Sequence, residues 1–460
     1  MEKFEIIIIT AYNKFTQQKG VQYMRRIIYE NLLKWKESSH RKPLLINGAR
    51  QVGKTYAVME FGRNHYENVV CLNFESAPRL AELFDDSISP SDLIKKIEIF
   101  FSVAVKPDTT LLFFDEVQLC NRALTSLKYF NEDANQYHII AAGSLLGIAL
   151  NRKNFSFPVG KVNMLNVYPM NFEEFLWANG KEQMISLIEE SFSGNTKMQN
   201  VFHDTLMELY RTYLGIGGMP EVVGEYIAAS SFMQSENTIS EIYNSYITDI
   251  TKHADHKQVM KIIGCFDSIG SQLAKPNQKF KYSLVKPKAT SSYFEDAIDW
   301  LKYARMVLPC YRLEHVEYPL VMSRNSGFFK LYLSDVGILR SMMKVSIKDV
   351  VLGDFDNIYS GILAENYVAC EFFSQDQELF YWSSENTAEV DYVIRINGAY
   401  IPVEVKANTH NRSKSLNEYI GKYHPEYAIR ISGKNFGFEN GIKSIPLYAA
   451  FCLARSKSEV

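Results

Sequence analysis

Short apolar runs alternate with stretches of helical spacing through the first third of the chain. The runs are PLLIN (43–47), VVCLNFES (69–76), TTLLFFDE (109–116) and HIIAAGS (138–144), and each reads as a strand. Leu111–Phe114 is apolar throughout, as a parallel strand buried on both faces should be. RRIIYENLLKWKE, after Met24, and YAVMEFGRN, after the first run, have the spacing of helices. Strands alternating with helices predict a parallel sheet covered on both faces, with its ligand site at the C-terminal ends of the strands.

The pattern changes further on. Residues 165–255 read mostly helical and are broken at YLGIGGMPEVV (213–223), where Gly215, Gly217, Gly218 and Pro220 mark a tight turn. A helical run, VMKIIGCFDSIGSQLA, then precedes the lysine-rich KPNQKFKYSLVKPK. ATSSYFEDAIDWLKYARM reads as a second helix, with Thr290, Ser291 or Ser292 as its cap. VLPCYRLEHV and FFKLYLSD follow as two strands joined by a turn at Asn325–Gly327. Helix, loop, helix and two-stranded wing describe a winged helix. Lys275, Lys279, Lys281, Lys286 and Lys288 lie beside its expected recognition helix, a pattern suited to DNA phosphates. The same helix carries Glu295, Asp296 and Asp299, which suit domain packing instead.

Composition narrows the setting. The 460 residues are 47% hydrophobic and 22% charged, an ordinary globular balance. The net charge of −2 excludes a chain that is basic throughout, so any nucleic-acid contact must be local. The six cysteines are scattered, without CxxC pairs or zinc spacing. MEKFEIIIIT is too short for a signal core, and no run reaches the roughly 18 to 20 apolar residues of a membrane span. A cytoplasmic protein is expected. Its divisions are an extension (1–23), an α/β nucleotide domain (24–175), a helical region (176–255), a winged helix (256–335) and a second α/β domain (336–460).

The candidate chemistry begins directly after the first strand. GARQVGKT (48–55) matches G-x-x-x-x-G-K-[ST], and strand, loop and helix are its required context. Gly48 and Gly53 let backbone amides close on phosphate oxygens, with Ala49, Arg50, Gln51, Val52 and Tyr56 completing the loop. Lys54 is expected to reach the β- and γ-phosphates, and Thr55 to offer its hydroxyl to magnesium. At the end of TTLLFFDE, Asp115 would hold the metal and Glu116 would polarise the attacking water as general base. Ser144 either faces the γ-phosphate or is a loop serine. Arg50, Arg122, Arg152 and Lys161 are the nearby cations from which a finger would come.

A second constellation lies in LFYWSSENTAEVDYVIRINGAYIPVEVKA (379–407). Asn397–Gly398 predicts a two-residue hairpin in which 396 faces 399. That register sets Asp391 opposite Glu404 and Glu389 opposite Lys406, all on one face. Carboxylates directly opposite cost up to about 1 kcal/mol, and a magnesium or manganese ion between them would reverse the sign. Lys406 would stabilise charge on a phosphate, and Glu365 in GILAENYVACEFF would add a further acid. A solvated hairpin face with tolerated charges fits the same residues.

From about Arg25 to Leu447 the chain resembles the bacterial and archaeal AAA-type ATPases that carry a C-terminal domain of unknown function related to the PD-(D/E)XK nucleases. GARQVGKT, LLFFDEVQ, HIIAAGS, FPVGKVNMLNVYPMNFEEFL, YLGIGGMPEVV, FFKLYLSDVGIL, GILAENYVACEFF and EVDYVIRINGAYIPVEVKA carry the resemblance, in that order. It implies an additional-strand P-loop fold, ATP as the nucleotide and Ser144 as a sensor. It also implies a nuclease-like motif of Asp391, Glu404 and Lys406 with Glu365 upstream, binding metal and activating water for phosphodiester cleavage. Lys161 departs from the arginine often found there, and lysine is a weaker phosphate ligand. Two functions follow as expectations: an ATPase coupled to a nuclease-like, DNA-directed half, or an ATP-dependent adaptor whose nuclease-like half only binds partners.

Overall fold

The structure, a computed structural model, describes residues 24–150, 158–353, 358–384, 388–407 and 414–456. The expected extension 1–23 and Arg152 lie outside the described residues. The chain divides into two compact units, one ending at Tyr168 and the other beginning at Pro169.

Five parallel strands form the sheet of the first unit: β1 (Leu44–Asn47), β2 (Asn68–Asn73), β3 (Thr110–Asp115), β4 (His138–Gly143) and β5 (Asn163–Asn166). Their spatial order is β2-β3-β4-β1-β5. All the apolar runs read as strands are strands, because β3 and β4 are buried along their whole length and need side chains without polar atoms. One core packs on Leu72, Phe74, Phe84, Leu112, Phe114 and Ile139. Its rings meet edge to face, Phe74 with Phe84 at 5.8 Å and Phe84 with Phe114 at 5.7 Å. Such pairs add about 0.5–1.5 kcal/mol beyond burial. The sheet has the P-loop NTPase arrangement, with β4 inserted between β1 and β3.

Helices Phe172–Ala178, Glu182–Gly194, Asn200–Ile216, Pro220–Ala229, Phe232–His253 and His256–Leu273 begin the second unit. Asn171 and Glu174 close the first with a capping box. The turn expected in 213–223 is present: the helix stops at Ile216, Gly217 takes φ +77° and Pro220 starts the next helix. Among the described residues, no helix is long and apolar enough to cross a membrane.

The strands of this unit form two sheets. β6 (Val307–Leu313) and β7 (Arg324–Leu333) are antiparallel, as expected of a wing. However, β6 also pairs in parallel with β8 (Leu379–Ser383), which pairs with β9 (Glu389–Val390). The expected wing is therefore half of a four-stranded sheet, and the boundary at 335/336 would cut that sheet in two. The reason is that Val307, Leu308 and Cys310 are almost fully buried, so β6 is a central strand rather than a solvated wing. Asn325–Gly327 also differs from expectation. It lies inside β7, at an irregularity in which 326–328 are passed over between the partners of Arg312 and Tyr311, and the connection runs through 314–323. The second sheet is β10 (Tyr392–Ile396), β11 (Ala399–Val405), β12 (Ala428–Ser432), β14 (Ile442–Pro446) and β13 (Gly437–Glu439), in that spatial order. Asn397 and Gly398 both take positive φ, and 396 faces 399 as the hairpin predicts.

Glu371 is fully buried in the helix Ile358–Phe373 and accepts the Phe172 amide at 2.8 Å. Burial pushes its carboxyl from 4.5 up to about 8, with Glu174 adding to the shift. A raised carboxyl contributes stability that is fully present below pH 4.5 and lost as pH rises through about 8. Replacing Glu371 with Gln should remove that loss. Denaturant midpoints measured from pH 4 to pH 9 should then fall for the native chain and stay flatter for Glu371→Gln.

Candidate functional site

The first site forms where β1, β3 and β4 end. The loop after β1 leads into the helix Lys54–His65 through Gly53, whose φ of +88° an L side chain rarely adopts. A Cβ at Gly48 would meet the Val167 carbonyl at 2.4 Å, so that position also has no room for a side chain. Lys54 is buried, and its ammonium donates to the Gly48 and Ala49 carbonyls at 2.9 and 2.8 Å. Gln51 is exposed and also has positive φ, Val52 is buried, and Tyr56 is half-buried.

The structure brings the two halves of the predicted site together. Thr55 Oγ1 donates to Asp115 Oδ2 at 3.0 Å, and Asn73 Nδ2 donates to the same oxygen at 2.8 Å. Burial, then the neighbouring Glu116 charge, raises the Asp115 carboxyl to about 6. Glu116, at φ +51°, turns away from the strand and accepts from Gln118 Nε2 at 2.6 Å and from Ser144 Oγ at 3.2 Å. Ser144 is thus a site residue in geometry, facing the Glu116 carboxylate. A hydroxyl and a buried carboxylate side by side are the hard oxygen donors magnesium takes, so the residues present fit that ion.

Three residues here were not foreseen. Asn73 ends β2 beside Asp115, and Gln118 lies in the FFDEVQ stretch. Position at a strand end was the signal available for Asn73. Arg26 carried no local signal: it is buried and donates to the Val52 carbonyl at 3.1 Å and the Tyr168 carbonyl at 2.8 Å, tying the loop to a distant segment. Among the finger candidates, Arg122 donates to the Phe84 carbonyl, Lys161 pairs with Glu132 at 2.8 Å, and Arg50 lies 3.8 Å from Glu75.

The C-terminal constellation is arranged differently from the hairpin expectation. Asp391 falls between β9 and β10, which belong to different sheets. Glu389 therefore pairs with Ser383 rather than facing Lys406. Asp391 accepts the Val405 amide at 2.7 Å. Burial first, then Glu365, raises its carboxyl, against the charges of Lys330 and Lys406. Glu404 is held by Lys406 at 3.2 Å and by Arg430 at 3.4 Å. Glu365 accepts from Gln278 at 3.1 Å and from Tyr332 at 3.2 Å.

Lys330, which sequence reasoning missed, organises this region. Its side chain is fully buried, with its ammonium 2.6 Å from Glu389, 3.7 Å from Glu365 and donating to Gln278 Oε1 at 3.0 Å. Burial would lower that ammonium, but Glu365, Glu389 and Asp391 together raise it. Among the described residues, no three Asp, Glu, His or Cys side chains gather as a metal-binding group. Glu365, Asp391 and Glu404, expected to share a metal, are each engaged by protein donors in this structure.

Three family models match separate parts of the chain. Residues 40–176 match the family model described as an AAA domain, 207–349 the domain of unknown function DUF8612, and 360–450 the domain of unknown function DUF4143. The uncharacterized protein MJ1637 of Methanocaldococcus jannaschii is 25% identical over 313 residues, or 66% of this chain. The chain spans 60% of the length of that relative. The Walker-type ATPase PABY2304 of Pyrococcus abyssi has a TM-score of 0.42 at 15% identity, covering 70% of this chain and 96% of its own. The ORC2 protein of Aeropyrum pernix, solved as ADPNP–ADP complexes, has a TM-score of 0.32 at 12% identity, covering 72% and 92%. With its sheet order and phosphate loop, the first unit of this chain carries an AAA domain of P-loop fold.

Proposed function

We propose that the chain binds ATP with magnesium at Gly48–Thr55 and hydrolyses it in a cytoplasmic setting. The observation that carries this reading is the meeting of Thr55 and Asp115 at 3.0 Å beside a Glu116 carboxylate held by Ser144 and Gln118. Thr55 and Asp115 would hold magnesium, which when bound neutralises charge on the β- and γ-phosphates. Lys54 exchanges its loop carbonyls for phosphate oxygens. Glu116 takes the proton of the attacking water as its oxygen bonds to the γ-phosphorus and the bond to the bridging oxygen breaks. Ser144 and Gln118 orient that carboxylate.

For the second unit, the resemblance leaves phosphodiester cleavage by Asp391, Glu404 and Lys406 as one reading. The ion pairs of Lys330 and Arg430 favour the other, a nuclease-like module that binds a partner without cutting it. DNA is the proposed partner, through the lysines at 275, 279, 281, 286 and 288.

Lys54→Ala should abolish ATP binding measured by calorimetry, whereas Glu116→Gln should keep binding and lose phosphate release. Binding that survives Lys54→Ala unchanged would remove this site from consideration. Incubating single- and double-stranded DNA and RNA with the chain and Mg²⁺ or Mn²⁺ should give no cleavage. Metal-dependent cleavage lost on Glu404→Ala would reinstate the cutting reading. Lys330→Met should leave buried carboxylates without their cation and lower folding stability by about 3–5 kcal/mol in denaturant titration.

A further inference from the structure

The lysines beside the expected recognition helix do not share one environment. Lys279 and Lys281 flank Phe280, whose amide bonds to the Phe329 carbonyl at 2.9 Å, so they belong to the β7 edge. Lys286 instead stands 5.1 Å from the centre of the Tyr293 ring.

At the β7 edge, two cations converge on one ring. Lys279 Nζ lies 3.1 Å and Arg312 Cζ 4.3 Å from the centre of Phe328, a half-buried residue in the irregular stretch of β7. Burial, Arg312 and Lys281 all disfavour the charge on Lys279. Among the described residues, neither Lys279 nor Arg312 has an acidic partner within ion-pair distance, and the buried Nε of Arg312 has no hydrogen-bond acceptor. Like charges held together favour a bound anion. Cation–aromatic pairing continues along the same hairpin. Arg324 lies 4.5 Å from the Tyr311 ring, and Tyr318, in the connection between the strands and 74% exposed, has Arg395 of β10 4.9 Å from its ring.

We propose that the β6–β7 hairpin is a binding track for single-stranded nucleic acid, with Lys279 and Arg312 taking backbone phosphates and Tyr318 stacking a base. Repeated cations favour a polyanion over a single phosphate. The exposed tyrosine among them favours unpaired bases, because every base offers a face to stack on. The proposal narrows the reading of this half as a DNA-binding module, and it is independent of ATP turnover and of cleavage at Glu404.

The test uses the full chain and a fluorescent 20-residue oligothymidylate, with anisotropy read across a salt series. Each lost phosphate contact flattens the log-affinity against log-salt slope by about 0.7 for a single strand. The double variant Lys279→Ala/Arg312→Ala should therefore flatten it by roughly 1.4. Tyr318→Ala should weaken binding about tenfold with the slope unchanged. Lys279→Arg/Arg312→Lys should keep the native slope, separating lost charge from lost folding. An unchanged slope in the double alanine variant overturns the track. If replacing Lys275, Lys286 and Lys288 with Ala flattens the slope instead, the track falls while the DNA reading stands. If the native chain binds no oligonucleotide, both fall. Tighter binding to duplex DNA, or binding to anionic phosphatidylserine vesicles alone, also overturns the single-strand assignment.

Discussion

The first unit depends on a single placement, that of β4 between β1 and β3. A parallel sheet brings the C-terminal ends of all its strands to one edge, and this order decides which ends become neighbours. Thr55, after β1, can therefore reach Asp115, at the end of β3, across the end of the inserted strand. Ser144 leaves β4 between them and meets Glu116. Small residues make the insertion possible. Ala141, Ala142 and Gly143 end β4, and a Cβ at Gly143 would come within 2.2 Å of Gln118 Oε1. The packing that admits the strand is thus the packing that seats Gln118 beside the candidate base.

In the second unit the governing term is buried charge. A lysine without solvent is costly unless it is paired, and Lys330 is paired twice. Its partners come from separate segments: Glu365 from a helix, Glu389 from the short strand β9, and Gln278 from the loop after the helix His256–Leu273. One ammonium therefore joins the loop, the helix and the first sheet. Asp391 sits where the chain passes from that sheet to the next, its carboxylate engaged by the Val405 amide. Acids whose pattern suggests a metal site are here accounted for by protein cations and amides.

Much of this was legible in the sequence. GARQVGKT and LLFFDE carry local geometry, because the glycines, the lysine and the strand-ending acid act through their own backbone positions. Asn397–Gly398 specified the hairpin register correctly from 392 to 403, since a two-residue turn leaves one pairing. The same arithmetic failed at Glu389, where the strand breaks and joins another sheet, a step that pairing within one hairpin does not contain. The wing failed for a related reason, as a central strand and an exposed one have similar local composition.

By itself, then, the sequence determined the phosphate loop, the strand-ending acids and the alternation that makes the first unit a P-loop sheet. These follow from contacts between residues near in the chain or from burial on both faces of a strand. Only the tertiary structure decided the contact of Arg26 with Val52 and Tyr168, the pairing of β6 with β8, and the place of Lys330 among three distant segments. Each of those joins residues far apart in sequence, where the energy depends on which surfaces meet and which charges lose their water, and no local pattern records either.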